Sequence, residues 1–262
     1  MKDQSIPLLL TGTIDSSVYM NTGNKICDID VRLQQYTSAI TRYIKFSPFT
    51  HIVFIENSGY DFDVDYFANM AKEKGKYFEF ISGKICREEI IKRGKSFGDA
   101  FLIHEALEKS ILLKQFNFFY KITGRIYLEN SKKIIKTMNK YLNEFIVYTG
   151  YGMCLTYFFK ADKQTYLDIL DDVYNDCDET TVNDIEMAFY KRLVESNLKF
   201  NSFEVYPKFD GVMGATLRNY SGGFIERSVR NIMARFQCFA LNSKTSFVIK
   251  IGMKILGSKG YL

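Results

Sequence analysis

The chain has 262 residues, 47% of them hydrophobic and 25% charged, which is enough to bury the core of one large domain and excludes disorder as its general state. Its 35 basic and 30 acidic side chains leave a net +5, compatible with an anionic partner but far below the charge of a nucleic-acid coat. No apolar run approaches the roughly 20 residues that span a bilayer, and the apolar stretch near the N-terminus is too brief for a signal-peptide core, so the expected setting is the cytoplasm.

In chain order, Ile6 to Ile14 reads as a first strand ending in Thr11-Gly12-Thr13, and Asp30 to Phe46 has helical spacing through Leu33, Tyr36, Ile40, Tyr43 and Ile44. His51 to Ile55 is a second strand closed by Glu56-Asn57-Ser58-Gly59, followed by a helix over Asp63 to Lys74 with Asp63 as N-cap. A third strand (Tyr77 to Ile81) precedes a long amphipathic helix, Ser96 to Gln115. Asn117 to Leu128 is strand-like, Ser131 to Leu142 helical, and Glu144 to Tyr148 a strand. Cys154 to Lys160 and Lys163 to Tyr174 then give a strand and a helix. Thr181 is placed to cap a last helix of the body, Val182 to Ser196, with Asp184 in its first turn. Strands alternating with helices predict an α/β fold with a largely parallel sheet covered on both faces. Ligands of such sheets bind beyond the carboxyl ends of the strands, which groups Thr11-Gly12-Thr13, Glu56-Asn57-Ser58-Gly59 and Thr123-Gly124-Arg125 around one crevice.

Cys27, Cys86, Cys154, Cys177 and Cys238 are odd in number and contain no CxxC pair, which favours free thiols over disulfides or a thiolate zinc site. His51 and His104 are the only histidines. Their positions before a strand and inside a helix suit structural roles. Gly94-Lys95-Ser96 is no P-loop, because Glu89 stands where the first glycine is needed. Lys92-Arg93-Gly94-Lys95-Ser96-Phe97-Gly98 nevertheless reads as a basic loop at a helix start, suited either to a diphosphate or simply to solvent. The acidic pairs Asp28/Asp30, Asp61/Asp63/Asp65 and Asp176/Asp178 avoid the central strand and read as caps or solvated loops before metal ligands. At the central strand stand Lys121 and Arg125, four apart and on one face of a regular strand, as cations able to neutralise a leaving diphosphate.

The ordered series LLLTGTI, IENSG, GKSFGDAFLIHEAL, FYKITGRIYLEN, CLTYFFKADKQTYLDIL, VNDIEMAFYKRL and GVMGATLRNY, from about residue 6 to 222, resembles bacterial surface-polysaccharide glycosyltransferases, which act in lipopolysaccharide, lipooligosaccharide or capsule assembly. The resemblance implies a GT-A-like, Rossmann-like sheet and transfer of a sugar from a nucleotide-sugar donor to a lipid-linked or oligosaccharide acceptor. By position it places Thr11, Gly12 and Thr13 on the nucleotide, Glu56 and Asn57 beside the base or ribose, and Lys95, Lys121 and Arg125 at the diphosphate. Asp184 and Glu186 are the candidates for taking the acceptor proton. Two apart on a helix, they diverge by about 200°, so one serves as base, with Glu186 preferred, and the other as cap or acceptor contact. No cofactor is assigned. A divalent metal (Mg or Mn) is compatible with the class, but no Asp-X-Asp stands at the central strand. The alternative reading is a non-catalytic nucleotide- or glycan-binding module at a membrane. A nucleic-acid partner is not expected, and a homodimer is left open.

Residues 211–262 carry eight basic side chains against Glu226, so the remainder of the chain is slightly acidic. Ile225, Val229, Ile232, Met233 and Phe236 form a helical apolar stripe beside Arg227, Arg230 and Arg235, and Phe247, Ile251 and Ile255 repeat it with Lys250 and Lys254. This suggests a catalytic domain over 1–222 and a basic amphipathic helical extension over 223–262. The extension would lie on the anionic inner face of the cell membrane or pack on the body or on a second subunit.

Overall fold

The computed structural model describes residues 5–214, 217–220 and 223–241. Its elements run β1 (Pro7–Gly12), α1 (Ile29–Phe46), β2 (His51–Glu56), α2 (Val64–Glu73), β3 (Tyr77–Ser82), α3 (Arg87–Arg93), α4 (Lys95–Lys109), β4 (Phe118–Thr123) and β5 (Tyr127–Leu128). They continue with α5 (Ser131–Ile135), β6 (Glu144–Tyr148), β7 (Met153–Asp162), α6 (Lys163–Ile169), α7 (Ile185–Glu195), β8 (Phe209–Asp210) and α8 (Phe224–Arg235). Six strands form one sheet in the order β3-β2-β1-β4-β7-β6, and β5 pairs with β8 in a small second sheet. β1 pairs in parallel with both β2 and β4, β2 in parallel with β3, and β7 runs antiparallel to both its neighbours. This is the expected α/β architecture, a mostly parallel sheet flanked by helices.

Side-chain alternation along the strands divides the core between the two faces. Leu8, Leu10, Ile52 and Phe54 turn to α1 and α2, packing with Tyr36, Ile40, Tyr43 and Phe67. Leu9, Val53, Ile55 and Phe119 turn to α4 and α7, packing with Phe97, Ile103, Ala188 and Phe189. Lys121 follows Phe119 by two residues on β4 and therefore points into the α4/α7 side.

Several boundaries differ from the sequence expectation. Lys92 and Arg93 belong to the end of α3, and Gly94 at φ +97° breaks the chain between α3 and α4. The long helix stops at Lys109 because the Glu79 carboxylate collects Ser110 Oγ, Ile111 N and Leu112 N at 2.6, 2.8 and 2.9 Å. The strand-like stretch to Leu128 is interrupted at Gly124, whose N–H bonds to Thr11 O, so Arg125 stands in the turn beyond β4. The helix expected to Leu142 ends at Ile135. α7 is capped by Asp184, whose Oδ1 accepts from Met187 N at 2.9 Å, rather than by Thr181.

Residues 223–241 pack on the rest of the chain. Met233, Ala234, Cys238 and Phe239 join the α1-side core, and Phe239 O accepts from Val147 N at 2.8 Å. Residues 242–262, including Lys250 and Lys254, lie outside the described residues. All five cysteines are free thiols. His51 stacks on Tyr77, and His104 Nδ1 is 3.0 Å from Asp171 Oδ1.

Candidate active site

A cavity of about 580 Å³ opens at the carboxyl ends of β1 and β4, between α4, α7 and the loops after β1 and β8. Thr11, Gly12, Thr13, Asn57, Lys95, Lys121, Arg125, Asp184 and Glu186 all contribute to its wall, a convergence brought about by parallel strands ending at one edge. At the β1 end, Thr13 Oγ1 donates to Asn57 Oδ1 at 2.7 Å, and Thr13 N donates to Tyr36 Oη at 3.0 Å. Gly12 lies against Tyr36 and Phe54: a Cβ here would come within 2.6 Å of the Tyr36 ring.

Glu56 is corrected by the structure. Its carboxylate is 1% exposed and lies behind the wall. It accepts from Ile14 N at 2.7 Å, from Ser58 N at 2.9 Å, from Tyr60 N at 3.3 Å and from Ser58 Oγ. It fastens the loops after β1 and β2, and so shapes that end of the cavity without facing it. Glu56→Gln would set an amide N–H₂ against backbone N–H donors. A loss of about 3 kcal/mol is expected, read as a fall in Tm of roughly 6–12 °C, with ligand affinity of the folded protein nearly unchanged.

The basic loop before α4 does bind an anion, but the anion is intramolecular. Glu179 Oε1 accepts from Ser96 N at 3.1 Å and from Ser96 Oγ at 2.6 Å. Gly94 is required beside it, since a Cβ would meet the Glu179 carboxylate at 2.5 Å. Arg93 is spent on the carbonyls of Tyr174, Asn175 and Cys177. Lys95 alone of this loop's cations reaches the cavity, with Nζ 3.3 Å from Gly23 O.

The central cations have different surroundings. Lys121 is 2% exposed, and its Nζ donates to Thr156 O at 2.9 Å. Burial brings its pKa down to about 8, against the opposing pull of Asp99 and then Glu186. Arg125 is half-buried and donates to Val212 O at 2.5 Å. Arg32, unmarked by any motif, also lines the cavity and is buried. Its Nε donates to Thr13 O and Ile14 O at 3.0 Å each, and its Nη1 to Ile26 O at 3.1 Å.

On the α7 side the two sequence candidates separate. Asp184 spends one carboxylate oxygen on the helix cap. Glu186 faces the cavity, accepts from Thr156 Oγ1 at 3.3 Å, and has its pKa pushed up to about 7 by burial, with Asp184 and Asp99 adding repulsion. Thr156 thus joins the two chemistries, its carbonyl on Lys121 and its hydroxyl on Glu186. Asp99 and Thr156 stand inside two of the quoted segments, but nothing in those segments singles either of them out. The pairing of β7 with β4 brings Thr156 to Lys121, and the packing of α4 on that face of the sheet brings Asp99.

Among the described residues no three His, Cys, Asp or Glu side chains assemble as metal ligands, so no step is assigned to an ion. Arg230 is withdrawn from the membrane-facing residues: it is 2% exposed, lines the cavity and lies 5.4 Å over the Tyr206 ring. Arg235 remains exposed and Arg227 half-buried.

No protein-family model matches this chain, and no curated protein matches it. Among solved structures it is similar to the WbbM bifunctional glycosyltransferase in its apo form, at 9% identity and TM-score 0.47, over 93% of this chain and 46% of that one. The chain therefore spans about half the length of WbbM. It is also similar to a Bacillus anthracis chain assigned as a glucose-1-phosphate thymidylyltransferase in complex with a sucrose, at 11% identity and TM-score 0.40, over 88% and 96% of the two chains. Neither protein's activity is carried over from these likenesses.

Proposed function

We propose that the chain is a glycosyltransferase that moves a sugar from a nucleotide-sugar to a lipid-linked or oligosaccharide acceptor in the assembly of a bacterial surface polysaccharide. The observation that carries this reading is one cavity with cations on its wall and a carboxyl held near neutrality on the adjoining helix. Thr11, Gly12, Thr13 and Asn57 would hold the nucleoside. Lys95, Lys121 and Arg125, with Arg32 behind them, would balance the diphosphate. Glu186 would take the acceptor hydroxyl proton as that oxygen attacks the anomeric carbon and the nucleoside diphosphate departs. A carboxyl of pKa about 7 is matched to that task at physiological pH, being both substantially ionised and basic enough to hold the proton.

The test is transfer and donor hydrolysis with a panel of nucleotide-sugars, with and without EDTA. Turnover with one donor supports the reading. Donor binding without turnover supports the non-catalytic binding module instead.

The acceptor and location rest on α8. Phe224, Ile225, Ile232 and Phe236 project from it, with Phe224 77% exposed, alongside Arg235. Apolar side chains bordered by cations suit the interface of an anionic bilayer. No helix among the described residues is long and apolar enough to cross a membrane. Co-sedimentation of the full chain with vesicles of phosphatidylglycerol and phosphatidylethanolamine is expected to fall at least tenfold in the triple variant Phe224→Ser, Ile232→Ser, Phe236→Ser. Equal pelleting, or no preference for the anionic lipid, counts against membrane binding.

A further inference from the structure

Asp99 lies one turn into α4, its carboxylate half-buried on the cavity wall. The other acids of that wall have resident partners: Glu179 holds Ser96, Asp184 caps α7, and Glu186 accepts from Thr156. Asp99 takes part in no hydrogen bond or ion pair among the described residues. Its half-exposed carboxylate oxygens are therefore open to the cavity, where a ligand that donates hydrogen bonds can take the place of solvent.

The character of that ligand follows from the surroundings. Asp99 is the foremost charge stabilising the Lys121 ammonium, with Glu186 second, so it lies on the α4/α7 side, where the proposed base stands. Its negative charge repels phosphate oxygens. Among the groups of a nucleotide-sugar, a carboxylate, which accepts and never donates, has no bond to make with a carbonyl or ether oxygen and can be met only by a hydroxyl or N–H. The group of a nucleotide-sugar that presents several hydroxyls next to the reacting carbon is the sugar itself.

We propose that Asp99 accepts a hydrogen bond from a hydroxyl of the transferred sugar and thereby selects which sugar the cavity takes, an inference that rests on the donor-site reading above. Lys121 and Arg125 then answer to the diphosphate, which every donor shares, and Asp99 to the part that differs between donors. A site built to bond a hydroxyl discriminates against the analogue lacking it, because the acceptor is left unfilled once the bound sugar has displaced its water.

Calorimetric titration of the full chain with UDP, GDP and their glucose, galactose, N-acetylglucosamine and mannose conjugates identifies the donor it binds. For that donor, Asp99→Asn is expected to lower the ratio of conjugate affinity to nucleoside diphosphate affinity at least tenfold, with the diphosphate itself bound within threefold of wild type. Monodeoxy forms of the same donor locate the hydroxyl: one deoxygenation should cost the wild type tenfold or more and Asp99→Asn less than threefold. Asp99→Ser should reproduce the pattern, which guards against a folding defect peculiar to Asn. Equal losses on diphosphate and conjugate, or no loss on either, overturn the proposal. A collapse of kcat with unchanged sugar affinity also overturns it, since Asp99 would then be the proton acceptor. A wild type that neither binds nor turns over any conjugate overturns the donor-site reading, and this inference with it.

Discussion

Glu186→Gln is expected to lower the transfer rate by about 10²–10⁴-fold while making the protein more stable above neutral pH. Both effects have one cause. The Glu186 carboxyl is held up to about 7 by burial and by Asp184 and Asp99, whereas an unfolded chain releases that proton near 4.5. A carboxyl with a raised folded pKa contributes stability that is fully present below about 4.5 and is lost as pH rises through about 7. Gln keeps the neutral shape and is indifferent to pH, so the variant and the wild type should melt together at pH 4. At pH 8 the variant should be more stable by about 1–3 kcal/mol, or roughly 2–12 °C in Tm. The rate of the wild type should climb with pH along a limb centred near 7. A Glu186→Gln variant with wild-type turnover, or with no pH-dependent gain in Tm, removes Glu186 from the proposed base position.

The second large effect belongs to Lys121. Lys121→Met should weaken the nucleotide-sugar by about 10²–10³-fold, the scale of losing a hydrogen-bonded charge on phosphate in a water-poor site. It should at the same time stabilise the unliganded fold at pH 7. The ammonium is taken from 10.5 down to about 8 by burial, so the sign is opposite to that of Glu186. Stability is undiminished above about 10.5 and is lost as pH falls through about 8, after which the whole cost of the buried charge is present. Met removes that cost, and the difference in Tm between variant and wild type should disappear towards pH 10.5. Donor affinity of the wild type should decline as pH rises beyond about 8, and that of the variant should not. Arg125→Ala, at a half-buried position, should cost only about tenfold. Unchanged donor affinity in Lys121→Met would assign the lysine to the fold alone.

Much of this architecture was legible in the chain because it depends on local periodicity. Leu8-Leu9-Leu10 and Ile52-Val53-Phe54-Ile55 are continuous apolar runs, as strands buried on both faces must be, and the parallel sheet follows from their alternation with helices. Loop chemistry was less legible. Its capping acids are the exception: Asp28 and Asp63, expected as caps, each accept from the N–H three residues on. Glu56 looked like a ligand contact because it ends a strand. The tertiary structure turns it inward, since the backbone N–H groups of Ile14, Ser58 and Tyr60 converge on it.

By itself, the sequence determined the α/β class, the crevice at the ends of β1 and β4, and the residue types on its wall. Each of these follows from spacing along a single strand or helix. Only the tertiary structure decided which charges share that crevice. It set Asp99 from α4 and Glu186 from α7 beside Lys121 of β4, filled the α4 start with Glu179, buried Arg230, and separated the roles of Asp184 and Glu186. Those outcomes depend on which helix packs on which face of the sheet. Burial then moves Lys121 and Glu186 towards neutrality, and no pattern in the chain encodes burial at a single charged residue.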